Sequence, residues 1–200
     1  MGKAKILLAT KNRAKVKEYS RLLHGIAYEI VSLEDVGITQ EVEESGKTFD
    51  ENAAIKAKTY AKLSGVVAIA DDSGLEVDAL DGEPGVRSAR YAGKGATDKE
   101  RIDYLLDKIK DIPPEQRTAR FRCVIAIATP AGEVKLCEGK CDGVITFGPK
   151  GENGFGYDPI FYLSDRKLTM AELSMEEKNK MSHRGKAAAK ARRLLKRWPQ

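Results

Sequence analysis

Ala68-Ile69-Ala70-Asp71-Asp72-Ser73-Gly74-Leu75 sets an apolar, strand-like run against two adjacent carboxylates. Side chains alternate faces along a strand, so one aspartate points toward a cleft while its neighbour points away or caps the turn that Ser73 and Gly74 begin. The expected layout is a strand over residues 66–70, that turn, and a short return strand over 75–80. Two ionised carboxylates side by side call for a cation, and the arrangement suits magnesium. An Asx turn closing a strand accounts for the same residues, so the rest of the chain must decide.

Working outward, Lys5 to Thr10 reads as a buried strand and Asn12 to His24 as a helix with Val16, Tyr19, Leu22 and Leu23 on one face. A second strand is expected over residues 27–32. Three Ser/Thr-x-x-Glu patterns announce helix starts, at Thr48 with Glu51, Thr97 with Glu100 and Ser174 with Glu177. Residues 120–129 and 133–142 read as a β-hairpin around Pro130-Ala131-Gly132, extended by 144–147, and Pro159 to Tyr162 as a short strand. Early alternation of strands and helices with a later hairpin gives an α/β fold with a mixed sheet. No linker-like segment interrupts the chain, which reads as one domain over residues 1–200, with two lobes around a cleft remaining open.

Composition narrows the class. The chain has 200 residues, 42% hydrophobic and 32% charged, which fits a globular protein rather than a disordered one. No apolar run reaches membrane-spanning length, and the N-terminal apolar stretch is too short for a signal peptide, so the expectation is a cytoplasmic protein without membrane association. Cys123, Cys137 and Cys141 lack the paired spacing of a structural zinc site and read as reduced structural thiols. The formal charge of +5 suits nucleic acid or a small polyanion such as a nucleoside triphosphate. Much of the excess lies in Lys186, Lys190, Arg192, Arg193, Lys196 and Arg197, on an Ala- and Leu-rich helix whose basic side chains read as a solvated face. Apart from Trp198 no aromatic residue interleaves this run, which argues against a stable nucleic-acid complex.

Four constellations carry chemistry. Thr10-Lys11-Asn12-Arg13-Ala14-Lys15 joins a strand end to a helix N-terminus, offering phosphate oxygens backbone donors, a dipole and the Lys15 charge; an N-cap at Asn12 explains half of it. Glu43-Glu44 precedes Ser45-Gly46 and a helix bearing Asn52 and Lys56, which share a face; a carboxylate here can join Asp72 in holding a hard cation. Gly154-Phe155-Gly156-Tyr157-Asp158 combines close backbone approach, a stacking ring and an acceptor, as for a flat ligand, or forms a β-turn with a core Phe. Ser182-His183-Arg184, with Lys178 upstream, offers donors for a purine carbonyl or a phosphate.

Taken in order, Thr10-x-Asn12-x-x-Lys15, Glu43-x-x-Gly46, Ala70 to Leu75, Ser88-Ala89-Arg90-Tyr91, Phe155 to Pro159 and Ser182 to Arg184 resemble the inosine triphosphate pyrophosphatase family over essentially the whole chain. The resemblance implies a homodimeric α/β protein with a long twisted mixed sheet flanked by helices, two lobes around a nucleotide cleft, and magnesium dependence. The implied activity is conversion of dITP, ITP or XTP to the monophosphate and pyrophosphate, removing deaminated purines from the nucleotide pool. It makes Asp72 the general base and a metal ligand, Ser73 a substrate contact, residues 10–15 the triphosphate segment, and Phe155, Gly156, Tyr157, Asp158, Lys178, His183 and Arg184 the nucleotide pocket; the chemistry of the reaction adds Lys56 beside Lys15 as an expected phosphate contact. Glu43, better spaced from Gly46 than Glu44, is the expected second metal acid. Whether Lys178 meets base or phosphate stays open, as does a pyrophosphatase acting on other modified or pyrimidine triphosphates.

Overall fold

The computed structural model describes residues 3–197, which leaves Trp198 outside the described residues. A seven-stranded sheet runs in the order β2-β1-β3-β4-β5-β6-β7, with β1 at Lys5–Leu8, β2 at Glu29–Ser32, β3 at Val67–Val77, β4 at Thr118–Ala128, β5 at Val134–Ile145, β6 at Phe161–Leu163 and β7 at Leu168–Thr169. Strand β1 pairs parallel with β2 and β3, whereas β6 pairs antiparallel with β5 and β7, so the sheet is mixed as expected. Strands β4 and β5 adjoin across the turn at Pro130-Ala131-Gly132, where Thr129 N–H donates to Glu133 O at 2.9 Å.

Helices are α1 at Arg13–Leu22, α2 at Phe49–Ser64, α3 at Asp98–Lys108, α4 at Met175–Met181 and α5 at His183–Leu195. Thr48, Thr97 and Ser174 each cap a helix in a reciprocal pair with the glutamate three residues on, as the sequence predicted. Among the described residues no helix is long and apolar enough to cross a membrane.

The expected turn at Ser73-Gly74 does not form. Strand β3 runs unbroken for 11 residues through both aspartates, and the return strand over 75–80 is replaced by its continuation to Val77 and a 3-10 turn at Asp78–Leu80. Turn chemistry in Asp-Asp-Ser-Gly is overridden because Leu75 and Val77, both fully buried, carry the apolar pattern onward. The expected strand over 159–162 also shifts, since Asp158–Ile160 forms a 3-10 turn before β6.

The chain divides into two compact units, the first made of residues up to Asp72, Cys123–Gly139 and Arg184 onward, the second of Ser73–Arg122 and Lys140–His183. Ile6, Tyr19, Ile69, Ile125, Ala187 and Ala191 lie in the core of the first, where the Ala face of α5 is buried and Lys186, Lys190, Arg193, Lys196 and Arg197 are exposed. Leu75, Leu105, Phe121, Tyr157, Phe161 and Met170 lie in the core of the second. All three cysteines are buried, and none is in a disulfide among the described residues.

Candidate active site

In the first unit, β1 delivers the chain to Thr10 and the N-terminus of α1. Asn12 caps that helix, its side-chain oxygen accepting from Ala14 N–H at 2.9 Å and Lys15 N–H at 3.2 Å, and its own N–H donates to Thr10 Oγ1. The N-cap half of the expected phosphate segment is therefore real, and it orients the first turn of α1. Lys11 donates to Thr39 O at 2.8 Å, while Arg13 is exposed and Ala14 half-buried. Lys15 Nζ lies 2.9 Å from Asp71 Oδ2.

Consecutive positions on β3 send the two aspartates to different partners. Asp71, only 1% exposed at its side chain, meets Lys15 and lies 3.7 Å from Arg184 Nε, while Arg184 Nη1 donates to the buried Glu18 at 2.6 Å. Burial opposes ionisation of Asp71, but Lys15, Arg184 and Lys56 outweigh it and hold the carboxyl well below the usual range. Behind it lies the Cys123 thiol, pushed up to about 12 by burial and by the Asp71 charge, which fits a structural rather than a reactive cysteine.

Asp72 turns to α2. Its Oδ2 accepts from Asn52 Nδ2 at 3.2 Å and its Oδ1 lies 3.7 Å from Lys56 Nζ, which donates to Glu44 Oε1 at 2.8 Å. Asn52 also accepts from Gly46 N–H at 2.8 Å, so one amide ties the acidic segment to Asp72. A Cβ at Gly46 would sit 2.7 Å from Asn52 Oδ1, which is why the close approach requires glycine there. Burial raises the Asp72 carboxyl; Lys56 opposes the rise and Glu44 adds to it. The acid that meets Asp72 through Lys56 is therefore Glu44, not the expected Glu43, which is exposed. That segment is held through Asn52, and the half-buried Glu44 is the acid that Lys56 reaches.

In the second unit, Ser73 follows Asp72 on β3 and is half-buried. The loop from Gly154 folds around Asp158, whose Oδ2 accepts from Phe155 N–H at 2.8 Å and from Lys178 Nζ at 2.7 Å; the Lys178 ammonium lies 4.9 Å from the Phe155 ring centroid. Tyr157 OH donates to Ser88 O at 3.0 Å, and Ser88 Oγ accepts from Leu75 N–H at 2.9 Å. The Ser88 motif thus anchors the loop to β3. His183 is buried and stacks on Phe121, ring centroids 4.7 Å apart. Lys178, Asp158 and Phe155 are brought together as one cluster, with Gly156 and Tyr157 completing its backbone. Gly154 has φ +82° and a Cβ there would lie 2.1 Å from the pinned Asp158 carboxylate. Gly154→Ala is expected to lower the free energy of unfolding by about 1–3 kcal/mol from backbone strain alone. An unchanged urea midpoint would contradict this geometry.

Sequence reasoning passed over Glu18, Ser88 as an anchor, and Asp98, which accepts from Gly156 N–H at 2.7 Å. Glu18 carried a signal, since it stands one helical turn from Lys15 on the same face. Asp98 carried none, because its partner is 58 residues away.

The arrangement has relatives. The sequence pattern of the Ham1 family matches residues 6–194. A dITP/XTP pyrophosphatase of Desulforamulus reducens is 53% identical over 193 residues, covering 96% of each chain. One of Bacillus subtilis is 50% identical over 189 residues, covering 94% of this chain and 96% of its own. Among solved structures, a HAM1 protein from Coxiella burnetii superposes with a TM-score of 0.90 at 42% identity, covering 98% of this chain and all of the other. With the matched pattern running from the first strand to the last helix, the chain belongs to the Ham1 family.

Proposed function

We propose that the whole chain, acting as one domain and as a cytoplasmic homodimer, hydrolyses dITP, ITP and XTP to the nucleoside monophosphate and pyrophosphate. The observation that carries the reading is Asp72, a buried carboxylate fixed by Asn52 and Lys56 with Glu44 alongside. The names of the relatives from D. reducens and B. subtilis point to the same substrates.

Among the described residues no group of three or more His, Cys, Asp or Glu side chains gathers that suits a metal ion. Magnesium fits nonetheless, since it takes one or two carboxylates and completes its shell with substrate phosphates and water. Asp72 and Glu44 would hold it: they share the one Lys56 ammonium, and their mutual repulsion helps to raise the Asp72 carboxyl. Bound there, the ion supplies charge neutralisation of the triphosphate.

Asp72 accepts a proton from the attacking water as its oxygen bonds to phosphorus; the bond between the α- and β-phosphates breaks and pyrophosphate leaves. The amides of Thr10 to Lys15 and the Lys15 and Lys56 ammonium groups hold phosphate oxygens. Lys178, clustered with Phe155 and Asp158, serves the base side. The Phe155 ring stacks on the purine, and donors from Lys178, His183, Arg184 or loop amides meet a 6-oxo group. A 6-amino group would set donor against donor, at about 1–3 kcal/mol for each buried group left unpaired.

Pyrophosphate release from ITP, XTP, dITP, ATP, GTP and pyrimidine triphosphates, with magnesium and with chelator, tests this. Turnover of the 6-oxo nonstandard purines in magnesium alone, at least about a hundredfold above ATP, is the expected result, equivalent to roughly two unpaired groups. Equal turnover of ATP and ITP would defeat the selectivity, and full activity in chelator would defeat the metal site.

A further inference from the structure

The Phe155 ring is aimed by its backbone. The direction of its Cα–Cβ bond is set by the peptide planes on either side of the Phe155 Cα, and each plane is tied to a different carboxylate. Phe155 N–H donates to Asp158 Oδ2 at 2.8 Å, and Gly156 N–H donates to Asp98 Oδ2 at 2.7 Å. Gly156 has φ +64°, a left-handed conformation that glycine adopts without steric cost. With glycine on that side of Phe155, the hydrogen bond to Asp98 is what fixes the Phe155–Gly156 peptide plane.

Asp98 is itself held firmly. It opens α3 directly after the Thr97 cap, where a carboxylate is favoured by the helix dipole. Arg101, one turn along, donates to Asp98 Oδ1 and, from Nη1, to Ala89 O at 2.9 Å and to Ala96 O. The Asp98–Arg101 pair therefore links the helix, the segment carrying Ser88 and Ala89, and the aromatic loop.

We infer that Asp98 is a positioning residue for the base subsite, fixing the Phe155–Gly156 peptide so that the Phe155 ring is presented to the purine. The inference rests on the assignment of Phe155 to the base side. It gives a task to a carboxylate at the start of α3 that the proposed reaction itself does not use.

Steady-state kinetics with ITP, together with inhibition by inorganic tripolyphosphate, test it. Tripolyphosphate has no base and reports the phosphate contacts alone. Asp98→Ala should raise KM for ITP about tenfold, the scale of one lost hydrogen bond to a charged group, with kcat within about threefold. Asp98→Asn keeps one oxygen for the Gly156 N–H but turns an NH2 toward Arg101, so it should recover part of the loss, with KM between those of wild type and Asp98→Ala. The tripolyphosphate inhibition constant should stay unchanged in both variants. An unaltered KM in Asp98→Ala overturns the inference, as does a parallel rise of KM and the tripolyphosphate constant, or a folded Asp98→Asn whose KM is no lower than that of Asp98→Ala. Absence of ITP turnover in the wild type overturns the base-side assignment itself, and this inference with it.

Discussion

Asp72→Asn is expected to lower kcat for ITP by about 10²–10⁴-fold, the usual contribution of a positioned general base. The fold should survive, and in metal-free buffer at neutral pH the variant should be as stable as wild type or slightly more so. The sign follows from the direction of its shift. Burial raises the Asp72 carboxyl in the folded protein, with Glu44 adding to the rise and Lys56 opposing it. A group raised on folding contributes stability below its unfolded pKa, and that contribution is lost as pH rises through the folded value. At neutral pH the ionised Asp72 is therefore held at a cost, which an uncharged amide of the same shape removes. Stability given up at a functional carboxylate is the expected trade at an active site. Pyrophosphate assays and urea unfolding in chelator check both halves. Retained turnover would remove Asp72 from the mechanism, and a loss of several kcal/mol on unfolding would make it a structural residue instead.

Local signals in the sequence proved reliable wherever the cause was local. The three capping boxes mark their helices because the reciprocal bonds span only three residues. Asn52 and Lys56 share a face of α2 because helical spacing places them there, and both reach Asp72. Alternation along β3 correctly sent Asp71 and Asp72 to separate partners. The misreadings share a different origin. Asp-Asp-Ser-Gly looks like a turn only while its partners are unknown; with Lys15, Arg184, Asn52 and Lys56 in place, both charges are satisfied inside a strand. Between the adjacent acids Glu43 and Glu44, the Lys56 ammonium, from a helix position 12 residues away, reaches Glu44. The Gly154–Asp158 motif announced an acceptor, yet Asp158 uses its carboxylate inward, on Lys178 and Phe155 N–H. Motif residues thus mark candidate positions, while long-range ion pairs show which of them are engaged within the protein itself.

Asp71→Asn should show the opposite pattern, a large loss of stability and a smaller loss of activity than Asp72→Asn. Asp71 is almost wholly buried, with Lys15 Nζ at 2.9 Å and Arg184 Nε at 3.7 Å. Removing its charge leaves those cations beside a neutral amide, with Glu18 the remaining carboxylate on Arg184. Breaking a buried pair by deleting one partner costs about 3–5 kcal/mol, a large share of the about 5–15 kcal/mol that holds a typical domain together. The pH dependence gives an independent reading. Although burial opposes its ionisation, the surrounding cations hold the Asp71 carboxyl below its ordinary value of about 3.9. Its contribution is therefore complete above that pH and is lost as pH falls through the folded value. The stability gap between wild type and Asp71→Asn should be widest at neutral pH and begin to narrow below about pH 4, where protonation removes the wild-type advantage. Urea unfolding at a series of pH values, with kcat measured beside it, separates the two aspartates. A gap below about 1 kcal/mol at neutral pH, too small for a broken buried pair, would show that Asp71 does not anchor the first unit. A folded Asp71→Asn protein as inactive as Asp72→Asn would make the neighbouring carboxylates joint participants in the chemistry, ending the division between a reacting face and a supporting face of β3.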